Sequence, residues 1–113
     1  MSNDERQFLL TAAWMFMLHG QPARARTVCA ALVDENPRDG VASVALAELL
    51  LDSGEASRAV ETLRAADVPP ELEHAAAFLE ARALKMAGRE REAESRWSRY
   101  VRSRKGAARQ WTA

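Results

Sequence analysis

Apolar residues recur at helical spacing in six stretches, each closed by a glycine, a proline or a turn-forming pair. Phe8, Leu9, Ala12, Phe16 and Leu18 mark the first, and Ser2 three residues before Glu5 has the form of a capping box, so the pattern predicts a helix over 4–19. Pro22 suits a first helical position, and Ala25, Val28, Cys29 and Leu32 form a stripe that stops at Asn36-Pro37, giving a second helix over 22–35. Asp39 can cap a third over 40–53. Ala56, Ala59, Val60 and Leu63 mark a fourth, which ends near Asp67-Val68-Pro69-Pro70. Pro70 opens a fifth that ends at Gly88, and a sixth covers 90–104. Alanine is abundant while five glycines and four prolines leave little to build hairpin turns, so the fold class is all-α.

The stretches repeat. Gly20, Gly54 and Gly88 stand 34 residues apart, and the same interval relates Ala13, Ala47 and Ala81, then Ala25, Ala59 and Ala93, then the large apolar Phe16, Leu50 and Leu84. Each glycine follows one apolar stretch and precedes another, the place of a positive-φ residue that ends a helix. The unit is therefore helix, turn, helix. Small residues in the alanine columns fit a close approach of neighbouring helices.

These columns resemble the tetratricopeptide repeat, which shares the 34-residue period. Leu9, Ala12, Ala13, Phe16, Ala25, Cys29 and Pro37 stand at its positions in the first unit, Ser43, Leu46, Ala47, Leu50, Ala59 and Leu63 in the second, and Ala77, Glu80, Ala81, Leu84, Ala93 and Trp97 in the third. Glu80 departs by occupying an apolar column, and Glu71 and Lys105 replace the proline of the first unit. The resemblance implies three tandem hairpins, residues 6–39, 40–73 and 74–107, forming one domain over 1–107 as a short right-handed solenoid, with 108–113 as a flexible tail. It further implies a concave groove lined by the first helix of each unit. In that register Gln7, Val41 and Ala75 face inward, as do Leu10, Val44 and Phe78, then Trp14, Glu48 and Arg82, then Met17, Leu51 and Lys85. Most are apolar, the composition of an interaction patch, and Trp14 and Phe78 are its anchor candidates. The competing reading is a register one residue out, with Trp14 or Met17 packed between helices. Repeat domains that clamp a partner's terminal carboxylate place Lys, Asn and Arg along this face, where Leu10, Trp14 and Val44 stand here; an amphipathic helix suits the groove better.

Candidate chemistry is sparse. Cys29 fills a large-apolar column and reads as a small buried hydrophobe. One cysteine forms no internal disulfide, and with two histidines it falls short of a zinc site, so neither metal nor cofactor is expected. His19 adjoins a helix C-terminus and His74 begins the third unit, neither beside a triad-like arrangement. Phosphate-loop, dinucleotide, Cys-x-x-Cys and zincin motifs are lacking, so the chain reads as a non-enzyme. Its start lacks a signal peptide's basic region, and the apolar run from Phe8 to Leu18 is too short to insert in a membrane, which predicts a cytoplasmic protein.

Sixteen basic and sixteen acidic residues balance, which argues against a dedicated nucleic-acid binder. The balance hides an asymmetry: residues 1–84 carry seven basic and thirteen acidic side chains, a net of −6, and 85–113 carry nine and three, a net of +6. Arg89, Arg96, Arg99 and Arg102 surround the stripe of Ala93, Trp97, Tyr100 and Val101. Either they give a terminal helix its polar outer face or they dock an acidic partner or anionic surface. Trp111 in the tail is an anchor folding back or a partner contact.

The run Gln7-Phe8-Leu9-Leu10-Thr11-Ala12-Ala13-Trp14, then Gly20, Ala23-Arg24-Ala25 and Asn36-Pro37, resembles the small Y-type chaperones of bacterial type III secretion, the SctY/YscY group. That resemblance implies a cytoplasmic chaperone that forms a heterodimer with a small, aggregation-prone X-type secretion component, holds it in the groove until export, and engages the export gate. Two other classes compete with it. One is a general tetratricopeptide adaptor or scaffold for an unrelated peptide; the other binds nucleic acid or a membrane surface through the basic last helix.

Overall fold

The protein was analysed as a computed structural model, which describes residues 1–106 in full and 107–112 as helical backbone only. Its six α-helices are α1 Asn3–Leu18, α2 Pro22–Glu35, α3 Gly40–Asp52, α4 Ala56–Ala65, α5 Glu73–Met86 and α6 Glu90–Thr112. The all-α expectation holds, and the first four helices end within two residues of where the apolar pattern puts them. Two elements differ. The Leu72 N–H donates to the Pro69 carbonyl at 2.9 Å, so Pro70–Leu72 forms a single 3-10 turn and α5 proper starts at Glu73. The sixth helix extends beyond 104, and the expected tail with Trp111 lies outside the residues described in full.

Local chemistry explains the element ends. The Ser2 hydroxyl accepts from the Glu5 N–H at 3.1 Å, and the Asp39 carboxylate accepts from Ala42 at 3.2 Å. The three glycines close α1, α3 and α5 in the same way. At Gly54 (φ +79°), its N–H donates to the Leu51 carbonyl at 3.0 Å and the Glu55 N–H to the Leu50 carbonyl at 2.8 Å, which are the paired bonds of a Schellman motif. Phe16 and Leu84 accept the equivalent long bond before Gly20 and Gly88, so the glycine column and the large apolar column belong to one capping device. A side chain at Gly54 would meet open space, so its strain is that of the backbone alone. Gly54→Val should therefore cost about 1–2 kcal/mol, read as a lower urea midpoint with unchanged slope. An unaltered midpoint would refute the glycine's role in the turn.

Each helix packs on the next in chain order, and α3 also touches α5. With α2, α4 and α5 all against it, α3 is buried on almost every side, which suits its near-continuous apolar sequence. Ala25, Cys29, Ala47, Leu50, Ala59, Ala83 and Leu84 have no exposed surface and form the centre of the core. Arg6 of α1 reaches the N-terminus of α3, donating through Nε at 2.7 Å and Nη2 at 3.0 Å to the carboxylate of buried Asp39. That pair holds the Asp39 carboxyl below the usual carboxylate range, against the opposing effect of its burial.

Glu80 has an equally defined place. Its side chain is 9% exposed and lies between Arg64 of α4, at 3.2 Å, and Arg96 of α6, at 3.0 Å. The apolar column is broken here by a carboxylate that ties the helices on both sides of α5 together.

Candidate functional site

Helix α1 presents three kinds of surface. Ala13 faces the core, with Leu9 and Phe16 half-buried beside it. Next around the helix come Leu10 and Met17, also half-buried, and beyond them Gln7 and Trp14, both exposed. Trp14 is 61% exposed, so this indole is not packed between helices. Gln7, Leu10 and Trp14 form a cleft with Val41 of α3, with Arg6 and Thr11 completing the wall, and the space is about 340 Å³. Four positions picked from the repeat register thus meet at one place.

The other positions divide. Glu48, Phe78, Arg82 and Lys85 are exposed but do not line that cleft. Phe78 sets its ring edge-on to Trp97 of α6, with centroids 6.4 Å apart, and remains 50% exposed. Val44 and Leu51 are not groove surface: at 8% and 2% exposure they belong to the core. Transferring one register to all three first helices assumes equal neighbours, and α3, enclosed by three others, buries positions that α1 leaves half open.

Arg6 and Thr11 are cleft residues that sequence reasoning missed. Arg6 is fixed by its bonds to Asp39, and the Thr11 hydroxyl donates to the Gln7 carbonyl at 2.9 Å. Arg6 and Asp39 stand 33 residues apart, one short of the repeat, so the repeat register did not point to the pair.

A second cavity of about 580 Å³ lies among α4, α5 and α6, lined by Leu63, Arg64, Glu80, Arg96, Arg99 and Tyr100 among others. Two of its three arginines are held by Glu80. Beside it, His74 Nδ1 lies 3.1 Å from the Tyr100 hydroxyl, and the His74 and Trp97 rings meet edge-on with centroids 5.9 Å apart. Both histidine contacts are structural. Cys29 is fully enclosed, and burial pushes its thiol pKa up, away from the thiolate a nucleophile needs. No three His, Cys, Asp or Glu side chains among the described residues are grouped to hold a metal ion, and no helix among them is long and apolar enough to cross a membrane.

Residues 16–68, from Phe16 near the end of α1 through α4 to Val68, match the tetratricopeptide repeat family. That match, over a little less than half of the chain, supports a tetratricopeptide repeat protein. No curated protein matches the sequence. Tetratricopeptide repeats generally mediate protein–protein interaction, which supports a protein partner and an adaptor or scaffold type of role. The cleft of α1 and α3 suits such a partner chemically: an exposed aromatic and two aliphatic side chains, Leu10 and Val41, with polar Gln7 and Arg6 at the edge.

Proposed function

We propose that this repeat protein is a non-catalytic cytoplasmic chaperone that holds an amphipathic helix of a protein client across α1, α3 and α5. By its resemblance to the Y-type group, the client is a small X-type component of type III secretion, kept soluble until export. The observation that supports this reading best is Trp14, a large aromatic left 61% exposed beside an apolar cleft, since a lone exposed indole lining a groove has the character of an interface anchor. Gln7, Leu10 and Val41 complete the anchor site; Met17, Glu48, Phe78, Arg82 and Lys85 extend it. Val44 and Leu51 support it from below.

The basic last helix is the weaker candidate. Arg96 is committed to Glu80, and Arg89, just before α6, to Glu92 at 2.5 and 2.8 Å, so only part of the charge on and beside α6 is free to meet an anion.

The test begins with co-purification from the native host and identification of the captured client by mass spectrometry. Titration of that client should then show Trp14→Ala binding about thirtyfold more weakly, a loss of about 2 kcal/mol, with the circular dichroism spectrum preserved. Arg99→Glu should bind as the parent does, and affinity should vary little with salt. Full affinity in Trp14→Ala together with loss in Arg99→Glu would move the site to the basic helix, and a steep salt dependence would favour an anionic partner. A client unrelated to secretion would leave the general adaptor reading.

A further inference from the structure

The cavity among α4, α5 and α6 adjoins a second of about 310 Å³, and the two share Arg64, Glu80, Arg96 and Arg99. One continues over Leu63, Ala66, Val68 and Tyr100, and the other past Arg91, Glu92 and Ser95. Together they form a trench with arginines at its centre and apolar side chains toward one end. Two of those arginines are held in place. Arg64 and Arg96 bond Glu80 through Nε alone, at 3.2 and 3.0 Å. The terminal nitrogens of Arg96 donate to nothing among the described residues, and those of Arg64 have only a 3.7 Å contact with Glu92. Exposed Arg99 has no bonded partner among them either. The repeat does not require this charge. One repeat earlier, the positions of Arg64, Glu80, Arg96 and Arg99 hold Ala30, Leu46, Thr62 and Ala65, so the equivalent junction of hairpins is built without a charged side chain. A buried ion pair adds little stability over an apolar filling of similar volume, and departures from a fold's own pattern concentrate at functional sites.

We propose that this trench docks an acidic segment of a second protein partner, with a carboxylate on Arg96 and Arg99 and a neighbouring apolar side chain over Leu63 and Val68. Charge selects the kind of anion. Three arginines against Glu73 and Glu80 leave the larger cavity at +1, and four against Glu80 and Glu92 leave the smaller at +2. An excess of that size matches one or two carboxylates, whereas a nucleic-acid backbone needs a longer row of cations and would meet three glutamates here. The apolar end selects protein in the same way, since a peptide brings side chains to bury there and a bare anion does not. Glu80 is a positioning residue. It holds two guanidiniums ready for bidentate contact, so less side-chain freedom is lost when the segment docks. The trench shares no residue with the cleft of Gln7, Leu10, Trp14 and Val41, so this second site does not depend on what the cleft binds.

The probe is a short peptide of alternating glutamate and leucine, titrated into the full chain by isothermal calorimetry at low salt. It should bind, weaken as salt rises, and fail to bind when glutamine replaces its glutamates. Arg99→Ala should weaken it about tenfold, the loss of one charge-assisted contact, while Trp14→Ala binds it as the parent does. Glu80→Gln gives the sharpest contrast. Removing a negative charge would tighten binding at a patch that acts by charge alone, but at a site whose arginines Glu80 positions it should weaken binding. Circular dichroism checks the fold of each variant, and exposed Arg99→Ala keeps the test complete even if Glu80→Gln unfolds. No heat of binding at millimolar peptide, parent-like affinity in Arg99→Ala, or tighter binding by a folded Glu80→Gln would each overturn the proposal. So would a loss of binding in a folded Trp14→Ala, equal binding of the glutamine peptide, or preference for a phosphoserine peptide or single-stranded DNA.

Discussion

Gly40→Ala should destabilise the protein by about 3 kcal/mol, at the upper end for overpacking, and lower its melting temperature by about 10 °C. Gly40 is the first residue of α3 and is buried where two inter-repeat connections cross. The Asp67 N–H donates to the Arg38 carbonyl at 3.0 Å, which draws the connection after α4 across the start of α3. A Cβ on Gly40 would sit 2.2 Å from the Asp67 carbonyl oxygen and 2.7 Å from the Pro69 ring. The first obstacle is backbone, so relief requires the two connections to part, with loss of their hydrogen bond and displacement of Asp39 from Arg6. Thermal melts of Gly40→Ala beside Gly54→Val check this. The first substitution should cost more although alanine is the smaller residue, because the space at Gly54 is open and at Gly40 it is filled. Equal costs, or a smaller one at Gly40, would contradict the crossing.

The contrast between those glycines explains which parts of the fold were legible in the sequence. Gly20, Gly54 and Gly88 do the same local work in each hairpin, so they recur at a fixed interval, and an interval is visible without coordinates. Gly40 answers a contact made once, where the connection into the second unit meets the connection out of it, and its column holds Arg6 and His74 in the other repeats, so no pattern pointed to it. The candidate site divides the same way. Gln7, Leu10, Trp14 and Val41 were found because helix faces follow from periodicity, and those four face the same cleft. Val44 and Leu51 were misplaced because burial depends on the number of neighbours as well as on the face, and the sequence does not count neighbours. Phe8 and Leu18 follow the helical spacing of α1 yet stand 73% and 62% exposed, because spacing does not tell which flank of a helix has a neighbour.

Glu80→Ala should cost about 2–3 kcal/mol, whereas replacing both Glu80 and Arg96 by leucine should bring stability back to within about 1 kcal/mol of the parent. Stripping the carboxylate from between Arg64 and Arg96 leaves two guanidiniums facing each other across a small void, Arg96 without its partner and Arg64 with only its 3.7 Å ion pair to Glu92. Breaking a fully buried pair costs about 3–5 kcal/mol, and the lower figure here reflects the arginines, whose side chains are 47% and 21% exposed and can turn to water. The double replacement removes the more enclosed arginine with the carboxylate and restores a large apolar residue in the column where Leu46 stands one repeat earlier, so packing offsets the lost ion pair. The two variants thus separate two roles of Glu80: a carboxylate required by the arginines around it, and a column position that an apolar side chain fills as well. Urea titrations of the parent, Glu80→Leu, Arg96→Leu and the double variant form the cycle that measures this coupling, with Glu80→Ala titrated beside them. If the double variant falls by the sum of the two single losses, the residues act independently, and the contact between α5 and α6 owes nothing to this ion pair.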